Sequence, residues 1–159
     1  MMKRILSILV LALFTMQMDA QVSMRDVLKS MPDSITPLLE KNTKLNLIDY
    51  IDAGQKAEEK NRLGGKSGLV VLTDTRALIQ MTEASTMDIK LLSSPESAIG
   101  IITTVHSDSE TYASVIKFYS PDWKLTKTVY PKEFKKVEWD NDSEEMKNTK
   151  YNPLEIKFE

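Results

Sequence analysis

Asp49 and Asp52 stand three residues apart in a segment with helical apolar spacing, which places both carboxylates on one helix face. Such a pair could serve glycoside hydrolysis if the surroundings raised one carboxyl and left the other ionised. That chemistry also needs a cleft lined by aromatic rings and a separation set by the fold. A solvated helix face accounts for the same two residues and is the preferred reading, because charged side chains usually lie outside. His106 is the only histidine, so any imidazole acid–base step must use it. Ser107, Asp108 and Ser109 follow directly, but successive strand residues point to opposite faces, so adjacency does not make a triad. The expectation is a surface histidine at the end of a strand. Asp49, Asp52 and His106 are weak candidates for an enzyme, and no residue is assigned a catalytic, cofactor-binding or metal-ligating role.

Other motifs fail on spacing. The string GGKSG from Gly64 suggests a phosphate loop, but the required earlier glycine falls at Lys60. Such a loop also follows a strand and opens a helix, whereas this segment reads as a connector from helix to strand. Asp140, Asp142, Glu144 and Glu145 suggest a calcium loop without its central glycine, and the closing position falls at Tyr151. Weak cation binding is all that cluster supports. Asp122 beside Trp123 would suit the edge of a sugar site, although a core tryptophan at a strand start is preferred. With 21 Lys plus Arg, 23 Asp plus Glu and a net charge of −2, there is no strong electrostatic reason to expect nucleic acid as a partner. The chain has no cysteine, which excludes disulfides, a thiol nucleophile and thiolate metal sites. No cofactor is implied.

The elements that must position these residues begin after residue 20. Lys3 and Arg4 precede a ten-residue stretch, 5–14, interrupted only by Ser7, and Ala20 is a small residue suited to the position before a cut. This has the form of a secretory signal peptide and is too short to span a membrane as a helix, which needs about 20 residues. An uncleaved N-terminal anchor is the alternative. Cleavage after Ala20 leaves 139 residues with a net charge of −3, one domain from 21 to 159 and no membrane-spanning segment. A lipid anchor would need a cysteine after the cut, so a lipoprotein is excluded. The expected location is exported: periplasm, cell surface or beyond. Without disulfides, the fold must rely on its apolar core.

Within that domain, Ser23 and Asp26 have the spacing of a capping box ahead of a helix carrying Val27, Leu28 and Met31. Pro32 ends it. Asp33 caps a second short helix, 34–40, and Asn42 or Thr43 caps a third with Leu45, Leu47, Ile48 and Ile51 as its stripe. The polar run 55–62 extends it unless Gly54 stops it. Strands are expected at 68–72, 77–82, 86–92, 99–106 and 111–119, the last two forming the clearest hairpin, and again at 123–129. Met87, Ile89 and Leu91 take one face of their strand, Asp88 and Lys90 the other. The charged segment 131–150 reads as a loop anchored by Phe134 and Trp139, and residues 154–159 alternate as a final strand. Helices followed by strands in sequence predict an α+β fold: N-terminal short helices, then a mainly antiparallel β-sheet built from hairpins.

Four strings resemble one family when taken together: MPDSITPLLEKNTKLNLIDYIDAG from Met31, LGGKS from Leu63, TEASTMDIKLL from Thr82 and IKFYSPDWKL from Ile116. The chain is similar to an uncharacterised exported Bacteroidales family catalogued as domain of unknown function 3256, over roughly residues 24–127. The resemblance implies an α+β domain in or beyond a Gram-negative envelope and carries over no activity, cofactor or catalytic residue. In that context Asp33-Ser34-Ile35 looks like a bacterial O-glycosylation acceptor, although Asp33 as a helix cap explains the same residues. Asn141-Asp142-Ser143 matches the N-glycosylation pattern, which a bacterial origin would leave idle. The functional expectation is a non-enzymatic module that binds an envelope protein or a glycan. The alternative is a carboxylate-dependent hydrolase of envelope or host glycans.

Overall fold

The computed structural model describes residues 22–108, 111–132 and 137–139, and the backbone of 146–147. The expected signal segment 1–20, Phe134, the acidic cluster with Asn141-Asp142-Ser143, and the strand at 154–159 lie outside the described residues. Helix α1 (Met24–Ser30) opens on the capping box: Ser23 Oγ accepts the Asp26 N–H at 3.3 Å and Asp26 Oδ2 accepts the Ser23 N–H at 3.3 Å. The Ser23 hydroxyl, which donates to Asp26 Oδ2 at 2.6 Å, and the Ser23 N–H together hold the Asp26 carboxyl below its ordinary range. Met31 is already extended, as a residue before proline should be.

The helix expected at 34–40 is a pair of turns instead, closed by Ile35 N–H to Pro32 O and Leu39 N–H to Thr36 O. Pro37 has no N–H and drives Thr36 away from helical dihedrals. The side chain of Lys44 serves this loop from inside. Its Nζ, on a residue 3 % exposed, donates to Met31 O (2.6 Å), Asp33 Oδ1 (3.0 Å) and Thr36 Oγ1 (3.2 Å).

Helix α2 (Lys41–Asp52) takes Glu40 as its N-cap, so neither Asn42 nor Thr43 caps it. It does not run on through the polar segment. Gly54 adopts φ +67°, Gly54 N–H bonds Ile51 O and Gln55 N–H bonds Tyr50 O, a Schellman stop. The polar run then forms β1 (Glu58–Lys60), which sequence reasoning did not foresee.

Six more strands follow: β2 (Lys66–Leu72), β3 (Arg76–Thr82), β4 (Ser85–Leu91), β5 (Ile99–His106), β6 (Tyr112–Tyr119) and β7 (Leu125–Val129). Their spatial order is their chain order, and every neighbouring pair is antiparallel. The α+β expectation is therefore met, with two helices rather than three among the described residues. The 123–129 strand starts later than expected. Trp123 sits in the preceding turn at φ +62°, its ring centroid 5.8 Å from that of Tyr119 and its Nε1–H donated to Ser30 Oγ.

Alternation along the strands divides the core in two. Ala77, Ile79, Met87, Ile89, Ile99 and Ile101 pack beneath Met24, Val27, Leu28, Leu47 and Ile48 of the helices. Ile102, Ile116 and Val129 form a second cluster, covered by Val137 and Trp139. Two short antiparallel strands, β8 (Glu138–Trp139) and β9 (Met146–Lys147), stand where a loop was expected. Trp139 is 2 % exposed, lies over Gly100 and donates its Nε1–H to Asp88 O at 3.2 Å. Asp88 does share its strand's second face with Lys90, yet it is 7 % exposed rather than solvated. Arg76 Nε and Nη2 clasp its carboxylate at 2.9 and 2.7 Å, which makes burial tolerable. Among the described residues, no helix is long and apolar enough to cross a membrane.

Candidate functional site

The three sequence candidates lie on two elements, Asp49 and Asp52 on α2 and His106 on β5. Asp49 is exposed on α2. Asp52, one turn on, receives Arg25 Nη2 of α1 at 2.6 Å. That hydrogen bond and the charge of Arg25 hold the Asp52 carboxyl below the ordinary carboxylate range, the opposite of what a general acid needs. His106 closes β5. Its backbone N–H donates to Ala84 O at 2.9 Å, its Nε2 lies 3.2 Å from Glu83 O, and its ring centroid is 5.9 Å from that of Tyr112. Ser107 Oγ donates to Asp108 Oδ2 at 3.2 Å, so that hydroxyl addresses the carboxylate directly rather than the imidazole. The geometry gives His106 a positioning role: it fixes the β3–β4 turn. Among the described residues, no group of three or more His, Asp or Glu is arranged to hold a metal.

The GGKSG segment joins two strands, β1 and β2, so the expected helix-to-strand connector is a hairpin loop. Gly64 takes φ +83°, which an L side chain resists. Asn61, 7 % exposed, holds the loop from within: its Oδ1 accepts the Leu63 N–H at 3.0 Å, while its Nδ2 donates to Ser67 Oγ (3.1 Å) and Met81 O (3.3 Å). Ser67 Oγ also donates to Met81 O at 2.6 Å.

An open cleft of about 800 Å³ lies against this edge of the sheet. Its apolar lining comes from Ile51, Ala57, Leu69 and Val70, its polar lining from Glu58, Lys66, Gln80, Glu83 and neighbours. Close backbone packing requires glycine in its wall. Gly68 faces Glu58 and Gln80 on the adjacent strands, and a Cβ there would lie 2.9 Å from Ala57 O. Lys56 Nζ meets Glu58 Oε1 at 2.6 Å and Lys66 Nζ approaches Oε2 at 3.7 Å, which holds the Glu58 carboxyl below its ordinary value. The strand register shifts between Leu69 and Val71, leaving Val70 more than half exposed at the rim. The arrangement offers a partly apolar slot with fixed charges of both signs. Its Glu58 carboxylate is already engaged by Lys56 and Lys66. Sequence reasoning missed these residues. The Gly64-Gly65 pair flanked by polar residues was the one available hairpin signal.

A family model described as Protein of unknown function (DUF3256) matches residues 15–157, and the chain belongs to that family. No curated protein and no solved structure matches it.

Proposed function

We propose that this family member is exported and acts as a non-enzymatic interaction module, holding an extended segment of a partner protein in the cleft beside β2. The cleft carries the reading. Its apolar floor and charged rim fit a peptide whose side chains alternate between buried and solvated positions. Strand β1 covers only Lys66–Gly68 of β2 by residue pairing, so the partner would approach at Val70, whose apolar side chain is more than half exposed. A protein is favoured over a glycan because the described lining contains no aromatic ring to stack on a sugar face. Export is supported by the charge and hydropathy pattern of residues 3–20.

A photo-crosslinker placed at Val70 in the native host tests the binding reading. The expected result is a defined protein adduct that a charge reversal at the exposed rim residue Lys56, Lys56→Glu, abolishes while the fold persists. An adduct that survives Lys56→Glu, binding to a glycan array instead, or glycan turnover lost in Asp49→Asn/Asp52→Asn would overturn it. For export, intact-mass analysis of native material should find Gln21 as the first residue. Retention of Met1 in the soluble cell fraction would refute it.

A further inference from the structure

We infer that the end of the sheet carrying Leu63 docks a second copy of this chain across a twofold axis. Leu63 is 75 % exposed, more than any other large apolar residue among those described. It stands on a loop that is already rigid. Asn61 fixes the loop by its side chain, and Asn61 N–H to Gly65 O and Gly64 N–H to Asn61 O, both 2.9 Å, close the backbone. A hollow of about 550 Å³ opens beside this knob, between the loop and the β3–β4 turn, with Leu63, Gly65, Lys66, Thr82, Glu83 and Ala84 in its lining. The turn is fixed as well, by the two His106 contacts and by Ala84 N–H to Thr82 Oγ1 at 3.2 Å.

The patch is self-complementary in shape and charge. It carries an apolar knob next to a hollow, and one cation, Lys66, across from one anion, Glu83. Isologous contacts require such a surface, because each copy presents the same residues to the other. A twofold axis through the patch seats each Leu63 in the opposite hollow and sets each Lys66 against the second copy's Glu83. The Lys66 side chain is largely exposed and only loosely held by Glu58 at 3.7 Å, so it is able to reach across. Val105, half exposed and paired with Ser85 just beyond the same turn, extends the apolar area. Since both walls are preformed, association carries little ordering cost. The patch is small, so the dimer is a reversible one. Lys66 and Glu83 also line the cleft, so the test reads self-association of the chain alone, with no cleft partner present.

Sedimentation equilibrium of the full mature chain tests it, from about 1 μM to about 1 mM, the range that brackets a weak interface. The expected result is a monomer–dimer equilibrium. Leu63→Asp, a change at an exposed site that leaves the fold intact, should raise Kd by about 30-fold or more, as loss of a central anchor does. Lys66→Glu and Glu83→Lys should each weaken the dimer about tenfold through like-charge contacts, and the double variant should recover most of the affinity. A monomer throughout the range overturns the inference. So does a dimer indifferent to Leu63→Asp, or a double variant no better than the single ones.

Discussion

Gly100 and Trp139 set up a sharp test of how the second face of the sheet is closed. A Cβ added at Gly100 would stand 2.5 Å from Trp139 Cη2 and 2.7 Å from Cζ2, well inside van der Waals contact. The indole has little room to retreat, being buried, packed edge-on to Phe118 at 6.3 Å and tied by its N–H to Asp88 O. Gly100→Ala should therefore destabilise the protein by about 1–3 kcal/mol, the usual cost of overpacking. Trp139→Ala removes the ring and should cost about 3–5 kcal/mol, through lost burial and a cavity. The informative quantity is the coupling. With the ring gone, the alanine methyl at 100 has space, and reduced chain entropy in the unfolded state favours Ala over Gly by about 0.4–1 kcal/mol. Gly100→Ala should thus change sign, from destabilising in the wild type to neutral or stabilising in Trp139→Ala. Urea denaturation of the four proteins, fitted with a common m-value, measures the cycle. An equal cost of Gly100→Ala in both backgrounds would refute the packing of Trp139 on this strand.

Lys44→Met should lower stability by about 2–4 kcal/mol, because it leaves Met31 O and Thr36 Oγ1 buried without their donor; chemical denaturation reads this directly. Ile116 is fully buried, so Ile116→Asp should abolish the folded state, a loss on the order of the whole stability; an unchanged melting temperature would contradict the assigned strand face. The carboxyls of Asp26, Asp33, Asp52 and Glu58 are all depressed, by Ser23, Lys44, Arg25 and Lys56 respectively. Each depressed group stabilises the fold above its unfolded pKa, near 4, and loses that contribution as pH falls through its folded value. Melting temperature should therefore hold steady between about pH 7 and 5 and drop below about pH 4, with Asp52→Asn making the drop shallower. A rise on acidification would be incompatible with these ion pairs.

Strands β3 to β6 were legible in the sequence because their β-branched and alternating residues match the pleat, and the α1 start was legible from Ser23 and Asp26. Strand β1 was not. Glu58, Glu59 and Lys60 carry no apolar alternation, and they are a strand only because β2 lies beside them. The turns at 32–39 fell to Pro37, whose effect on Thr36 outweighs the capping potential of Asp33. Trp123 was displaced from the strand by a left-handed backbone at its own position. The cleft was hardest to foresee, since it draws on the end of α2 and on three strands. Its wall needs glycine at 68 because Ala57 O presses on that position, and no spacing rule in one stretch of sequence reports that.

Because spatial order in the large sheet repeats chain order, a polypeptide appearing N-terminus first, from a ribosome or any narrow channel, always meets its next hydrogen-bonding neighbour already in place. Assembly becomes a progressive zippering of local hairpins with little search, which favours rapid folding. The exception is the indole at 139, which arrives last and covers Gly100 from across the sheet. Until it does, Ile102 and Ile116 are left wet, so a nascent or truncated product ending before residue 137 exposes a sticky surface and becomes the natural substrate for holdases and proteases.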